Sequence, residues 1–328
     1  MQPITLTANQ PRRRFYKGGR QIAQFRGLTA FQEFTPEDWV GSTTAVFGEA
    51  PVGLTVLPDD RVLAEIIAED PLPWLGPAHV ARWGTDTMLL VKLLDAGQRL
   101  PVHAHPDDEF AATHLGLAHG KAEAWYILRP GTIHLGLKND LDTTDFLGLI
   151  DRQDTAAMLG ALHAIDVEAG DSVFVPSGTL HAIGEGTLLV EVQQPTDLSI
   201  LVEWRGFEID GRTSGHLGLG FDAAIRAITL AAMPPAALRS VVRRSPGIGP
   251  SLAEPSGQFF GLDLADASSG VQSAGFAIAV AHRGPAVLQT RTGELVEIVG
   301  GSTTLIPHAF GDYQVSGGTV LLAKPPVP

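Results

Sequence analysis

Apolar residues recur along the chain in short runs broken by Gly and Pro, the pattern of strands and turns rather than long helices. In the first 95 residues "TTAVFG", "VGLTVL" and "TMLLVKLL" read as strands, and "RVLAEIIAE" (Arg61–Glu69) reads as one short helix. From 87 to 135 the chain is strand-rich, through "LPVHAH", "AEAWYIL" and "TIHLGL". Residues 141–165 switch to helical spacing and predict two short inserted helices, with Asp140 and Asp154 as N-caps that accept from exposed helix-start amides. Strands return in "DSVFVPSG", "TLHAIG", "TLLVEVQQ" and "LSILVEW", and a last helix is expected at Gly220–Ala232, ended by Pro234 and Pro235. Residues 233–255 are Pro-rich and read as a linker; from 256 the short strands and Gly turns resume. The expectation is a mainly β chain in two modules, residues 1–232 with a helical insertion and residues 256–328.

Composition narrows the function. The 328 residues carry 44% hydrophobic and 18% charged positions, so the chain folds around a sizeable core. A formal charge of −13 argues against a broad nucleic-acid footprint, which needs clustered Lys and Arg, while a small anionic substrate could still be served by a few local cations. There are no cysteines, which removes disulfides, thiolate metal sites and thiol nucleophiles. No apolar run is long enough for a membrane span and no signal segment is visible at the N-terminus, so a cytoplasmic protein is expected. Arg12, Arg13 and Arg14 read as a solvated turn.

The chemistry concentrates in "GQRLPVHAHPDDEFAATHLG" (Gly97 to Gly116). Side chains alternate along a strand, so His103 and His105 share a face about 7 Å apart, a spacing that suits two imidazoles converging on one metal. Downstream, "GDSVFVPSGTLHAI" brings a Pro-Gly turn and then His181 at the start of the next strand. Together these resemble the paired motifs of the cupin superfamily, G-x5-H-x-H-x3-E-x6-G at Gly97, His103, His105, Glu109 and Gly116, then G-x5-P-x-G-x2-H ending at His181. That resemblance implies a cupin, or jelly-roll, β-barrel, followed by a second, degenerate cupin-like module whose "LIPHAF" holds His308 but no H-x-H pair and is expected to be metal-free.

"LLVKLLDAGQRLPVHAHPDDEFA", "GKAEAWYIL", "DSVFVPSGTLHAI" and "LLVEVQQPTDLSILVEW" further resemble the class I phosphomannose isomerases, and "FYKGGRQIAQFRG" and "DPLPWLG" their bacterial branch. The resemblance implies a mannose-6-phosphate/fructose-6-phosphate isomerase, or one for a closely related sugar, with one Zn²⁺ per chain. Its ligands would fall on His103 (where the family has Gln), His105, Glu123 and His181. The generic cupin spacing nominates Glu109 instead of Glu123. Glu123 is preferred, because it opens an apolar strand, whereas Asp107, Asp108 and Glu109 look like a polar turn opening a helix.

Further roles follow from the same resemblance. Glu191, an acid inside "LLVEV", corresponds to the base, and burial would raise its pKa. Lys121 and Lys138 match cations that reach a substrate phosphate, Lys121 also standing among the catalytic groups, and Lys92 lies facing the barrel or paired with an acid. The family's arginine near the substrate falls on Leu201. Arg205, four residues on, is the expected substitute, with Arg212 behind it. The partner is then a small sugar or sugar phosphate, not nucleic acid or membrane, and the protein a monomer or homodimer. Two alternatives remain at this point: a cupin oxygenase, since three His and one Glu also suit iron, nickel or manganese, and a sugar-binding cupin without catalysis.

Overall fold

The computed structural model describes residues Met1–Pro328 and arranges the strands in three antiparallel sheets. One sheet runs from Val242–Arg243 through Ser172–Val175, Glu123–Arg129, Leu188–Gln193 and Leu90–Asp95 to Glu37–Val40. The second runs from Ile200–Leu201 through His103–Ala104, His181–Ile183 and Gly131–Leu137 to Leu162–Val167. These two face each other as a jelly-roll barrel, and the six central residues of Leu90–Asp95 and of Leu188–Gln193 are all buried. Strands covered on both faces read as near-continuous apolar runs, which explains why "LLVKLL" and "LLVEVQ" are broken only by Lys92, Glu191 and Gln193.

Register sets the inner face. Glu191 pairs with Lys92 on one side and Trp125 on the other, and Lys92 pairs with Trp39. Four strands therefore present the row Trp39, Lys92, Glu191, Trp125 to the barrel interior. Glu123 lies one period along the same face, opposite Gln193.

The third sheet is built around the long antiparallel strands Ala277–Thr290 and Tyr313–Lys324. A core of 43 buried residues includes Leu93, Ile127 and Val190 of the barrel together with Leu262, Ile278 and Leu321 of this sheet, so one apolar interior joins the modules. The chain start also belongs here: Ile4–Leu6 pairs with Thr303–Leu305. Residues 233–255, expected as a linker, hold the helix Pro235–Val241 and two bridging strands. Val242–Arg243 adds to the barrel and Gly249–Pro250 to the third sheet. No helix is long and apolar enough to cross a membrane.

Several expected elements shift. "TTAVFG" and "VGLTVL" are not strands but turns, folded on themselves by Val46 N–H to Val52 O at 2.7 Å and Leu57 N–H to Arg61 O at 2.9 Å. The 141–165 insertion forms Thr143–Arg152 and Thr155–Ala161, and "LHAI" already opens the strand Leu162–Val167. Asp154 caps the second helix as expected, but the first is capped by Asp142, because Asp140 accepts from Ala232 N–H instead. The Gly220–Ala232 helix stops early, as Phe221–Ala224 plus the 3-10 turn Ile225–Ala227. Beyond it the backbone bonds outward, Thr229 donating its N–H to Gly178 O and Leu230 O accepting from Leu141 N–H, so these groups are spent on neighbours and not on a helix.

Candidate metal centre and pocket

His103 and His181 sit directly opposite each other in neighbouring strands, and His105 follows on the turn out of the first. That turn is clamped by Gly178, whose N–H reaches His105 O at 2.7 Å. Gly178 has φ +80°, and a Cβ there would also meet Thr229 Oγ1 at 2.8 Å, so the position needs glycine. The nitrogens of His103, His105 and His181 come within 4.8 Å of one another.

Each imidazole is held by a backbone carbonyl at Nδ1: His103 by Pro101 O at 2.8 Å, His105 by Leu198 O at 2.6 Å, His181 by Thr179 O at 2.8 Å. A carbonyl only accepts, so each Nδ1 carries the proton and each Nε2 presents a lone pair. Glu123 closes the group, Oε2 3.1 Å from His105 Nε2 and Oε1 3.2 Å from His181 Nε2. His181 Nε2 is fully buried and has no hydrogen-bond donor. Lys121 Nζ reaches His105 Nε2 at 3.1 Å and Glu123 Oε2 at 2.5 Å, but no donor meets His181 Nε2, so the converging lone pairs still favour a cation among them. The donor set fits a borderline divalent ion with neutral imidazoles and an ionised carboxylate.

Electrostatics agree with that protonation state. Burial holds His103 well below its ordinary value, with His181 and His105 adding to the effect. Burial and then the Lys121 ammonium bring His105 down to about 3. Burial alone would raise Glu123, but Lys121 and His105 outweigh it and keep the carboxyl well below the usual range.

Beside the triad, Lys121 Nζ is 2.5 Å from Glu123 Oε2 and 3.3 Å from Glu191 Oε1, and Lys92 Nζ is 3.9 Å from the same Glu191 oxygen. Glu191 is buried, and its Oε1 accepts no hydrogen bond. Burial, reinforced by the nearby Glu123 charge, pushes its carboxyl up to about 7 against the opposing pull of Lys121 and Lys92. These groups line a cavity of about 460 Å³ whose exposed lining residues include Phe47, Gly48 and Glu49, while Leu201 lies buried opposite His103. Its size is that of a small-ligand site.

The structure brings His103, His105, Glu123, His181, Lys121, Lys92 and Glu191 together. It leaves out four residues that the sequence had nominated or held in reserve. Glu109 is exposed, within the one-turn helix Asp108–Phe110. Lys138 is exposed and donates to Gly160 O. Arg205 donates to Arg152 O and lines no part of this cavity, because the strand ends at Leu201 and the alternation that would have aimed Arg205 inward does not continue. Arg212 pairs with Asp151 on the surface.

Sequence reasoning missed a polar wall. Glu37, buried, accepts from Tyr16 Oη at 2.7 Å, Trp39 Nε1 at 2.8 Å and Arg14 Nε at 3.0 Å, and lies 3.4 Å from Lys92 Nζ. Asp197 sits 3.6 Å from both Arg14 and Lys92. Arg14 is therefore a pocket residue, not part of a solvated turn. The available signal was the acid pair inside "EDWV", which is buried along its whole length. His308 lies in a 3-10 turn with its ring against Gly76.

No protein-family model matches the chain. Among curated proteins, it is 40% identical over 112 residues to the mannose-6-phosphate isomerase ManA of Bacillus subtilis, covering 33% of this chain and 34% of that one. It is 30% identical over 197 residues to the mannose-6-phosphate isomerase of Streptococcus mutans, 56% of each. The chain thus aligns with about a third to just over half of these relatives. Solved structures match along the whole chain. The mannose 6-phosphate isomerase of Bacillus subtilis superposes with TM-score 0.69 at 24% identity, over 98% of this chain and 99% of that one. A mannose 6-phosphate isomerase bound with zinc and yttrium superposes with TM-score 0.73 at 15% identity, over 100% of both. The fold is that of the phosphomannose isomerases, as the sequence resemblance implied.

Proposed function

We propose that this protein is a metal-dependent aldose–ketose isomerase of the mannose-6-phosphate isomerase type, acting on mannose 6-phosphate and fructose 6-phosphate or a closely related sugar. One observation carries the reading. A buried carboxylate without a hydrogen-bond partner, Glu191, stands next to Lys121 at the edge of a ready-made metal-ligand set. His103, His105, Glu123 and His181 would hold the ion, for which we propose Zn²⁺, one per chain. When bound, the ion supplies polarisation of substrate oxygens.

The chain's own residues supply the proton transfer. Isomerisation removes the proton from the hydroxyl-bearing carbon beside the carbonyl while the carbonyl oxygen gains one, giving an enediol. It then returns a proton to the former carbonyl carbon while the other hydroxyl loses its own. Glu191 Oε1 takes that proton and gives it back, and a carboxyl with a pKa near neutrality is suited to both halves. Lys121, 3.3 Å away, offers an ammonium to the oxygens that gain charge as the enediol forms. Glu37 and Asp197 hold Lys92 against Glu191, and the barrel walls exclude water around them. We place the protein in the cytoplasm, as a monomer or homodimer with a small sugar as its partner.

The test is an isomerase assay on metal-quantified protein, run alongside deuterium exchange at C2 in heavy water. Absence of both turnover and exchange at full metal loading refutes the reading. Oxygen consumption with substrate would favour a cupin oxygenase instead.

A further inference from the structure

Lys121 stands beside Glu191 but belongs to no strand, since Glu123–Arg129 begins two residues later. Whatever fixes the backbone of Gly120–Ala122 therefore fixes the ammonium. Two distant segments do so. From the turn after His105, Pro106 O accepts from Lys121 N–H at 2.8 Å and Asp108 Oδ1 from Gly120 N–H at 2.7 Å. From the end of the strand that carries Glu191, Gln194 Oε1 accepts from Ala122 N–H at 2.8 Å. The carbonyls are held as well, Gly120 O by Thr196 Oγ1 at 2.7 Å and Ala122 O by Gln194 N–H at 3.1 Å. Gly120 lies so close to the first segment that a Cβ would meet Asp107 C at 2.3 Å and Pro106 O at 2.4 Å.

Gln194 joins the two segments. Besides accepting from Ala122, its buried side chain donates Nε2 to Asp108 Oδ1 at 2.8 Å, the same oxygen that receives the Gly120 amide. A primary amide suits this place because it accepts at one end and donates at the other without adding charge. The preceding Gln193 shapes the turn, folding its Nε2 back onto Gln194 O at 3.1 Å and Thr196 O at 2.5 Å. Neither Gln194 nor Asp108 lines the cavity. One continuous piece of chain thus carries Glu191 and seats the lysine 3.3 Å from it.

We infer that Gln194 is a positioning residue, holding Lys121 against Glu191 through Ala122 and Asp108 without touching the substrate. The inference rests on the isomerase reading, in which Lys121 meets the charge that develops as the enediol forms. Glu123 is fixed separately, by its backbone pairing with Val175 and Gln193, so the metal ligands do not depend on this amide.

Gln194→Met keeps the shape of the side chain and removes its polar atoms. It is expected to lose about tenfold to 10²-fold in kcat, the effect of a displacement near 1 Å, with KM and metal content unchanged. A changed KM with kcat intact, or a lowered metal content, overturns the inference. The deciding measurement is a double-mutant cycle with Lys121→Met. If Gln194 acts through Lys121, adding Gln194→Met to that variant costs less than about twofold. Losses that multiply give Gln194 a general structural role and overturn the inference. Asp108 is exposed, so its variants leave the core intact. Asp108→Asn keeps the Oδ1 acceptor and should stay near the wild-type rate, whereas Asp108→Ala should reproduce the loss, and equal rates in the two overturn the inference. If the wild type shows no turnover at full metal loading, the isomerase reading fails by itself. Amide hydrogen exchange still reads the positioning in that event. Gln194→Met should speed exchange at Ala122 by about tenfold, the loss of one buried hydrogen bond, and unchanged exchange overturns it.

Discussion

Glu191 stands directly opposite Lys92 in the antiparallel pairing of their strands, with the ammonium 3.9 Å from the carboxylate and both side chains buried. A like-charged neighbour, Glu123, is one strand away on the same face. This balance leaves Glu191 near neutrality instead of locked as an ion.

From it follows a pH dependence. A base must be deprotonated to act, and Glu191 is raised to about 7. Turnover is therefore expected to fall as pH drops through about 7, with the slope of a single proton. A rate–pH profile of the wild type, compared with the residual rate of Glu191→Gln, checks this, since the variant should lack that limb.

Glu191→Gln itself should keep fold and metal and lose about 10²–10⁴-fold in kcat, because the amide is nearly isosteric but cannot accept the proton. Stopped assays and metal analysis on the same preparation decide the matter. A near-normal rate would remove Glu191 as the base.

His181→Ala should strip the metal, because it deletes one of four converging donors and the residue pairs directly with His103. Glu109→Ala should leave metal content unchanged, its side chain being exposed in the turn after Pro106. Metal quantification on the two purified variants reads both outcomes, and retention in the first would undo the ligand assignment.

Glu37 is expected to carry stability. Burial would raise its carboxyl, but Arg14 and Lys92 outweigh this and hold it well below the usual range. A depressed carboxyl contributes stability above its unfolded pKa of about 4.3, and that contribution is lost as pH falls. Glu37→Gln should cost about 3 kcal/mol at pH 7, since it leaves buried cations short of a partner. The cost should shrink toward pH 3. Urea unfolding at the two pH values measures the difference.

Arg205→Ala should change neither KM nor kcat. Its guanidinium is spent on Arg152 O, outside the cavity. Steady-state kinetics showing a raised KM would return Arg205 to the substrate.

Much of this site was legible along the chain because its cues are local. Strand alternation alone puts His103 and His105 on one face, and the "PSGTLH" turn, with glycine at a positive φ, delivers His181. A glutamate inside "LLVEV" and one before "AWYIL" stand out because an unpaired charge does not survive in a buried strand. Those features nominate the histidines and the two acids; the barrel, the preference for Glu123 over Glu109 and the role of Glu191 come from the family resemblance.

What only the tertiary structure decided are the meetings between distant segments. Arg14, Glu37 and Asp197 come from separate segments and join one wall because Arg14 and Tyr16, near the chain start, pack against the strand Glu37–Val40. No periodicity encodes that contact. The same holds for Arg205, placed inward by a period that the strand abandons at Leu201, and for Ile4–Leu6, which adds to a sheet made of the last residues. Side-chain alternation is a property of local backbone geometry, whereas charge pairing across the pocket depends on which loops the packed core brings together.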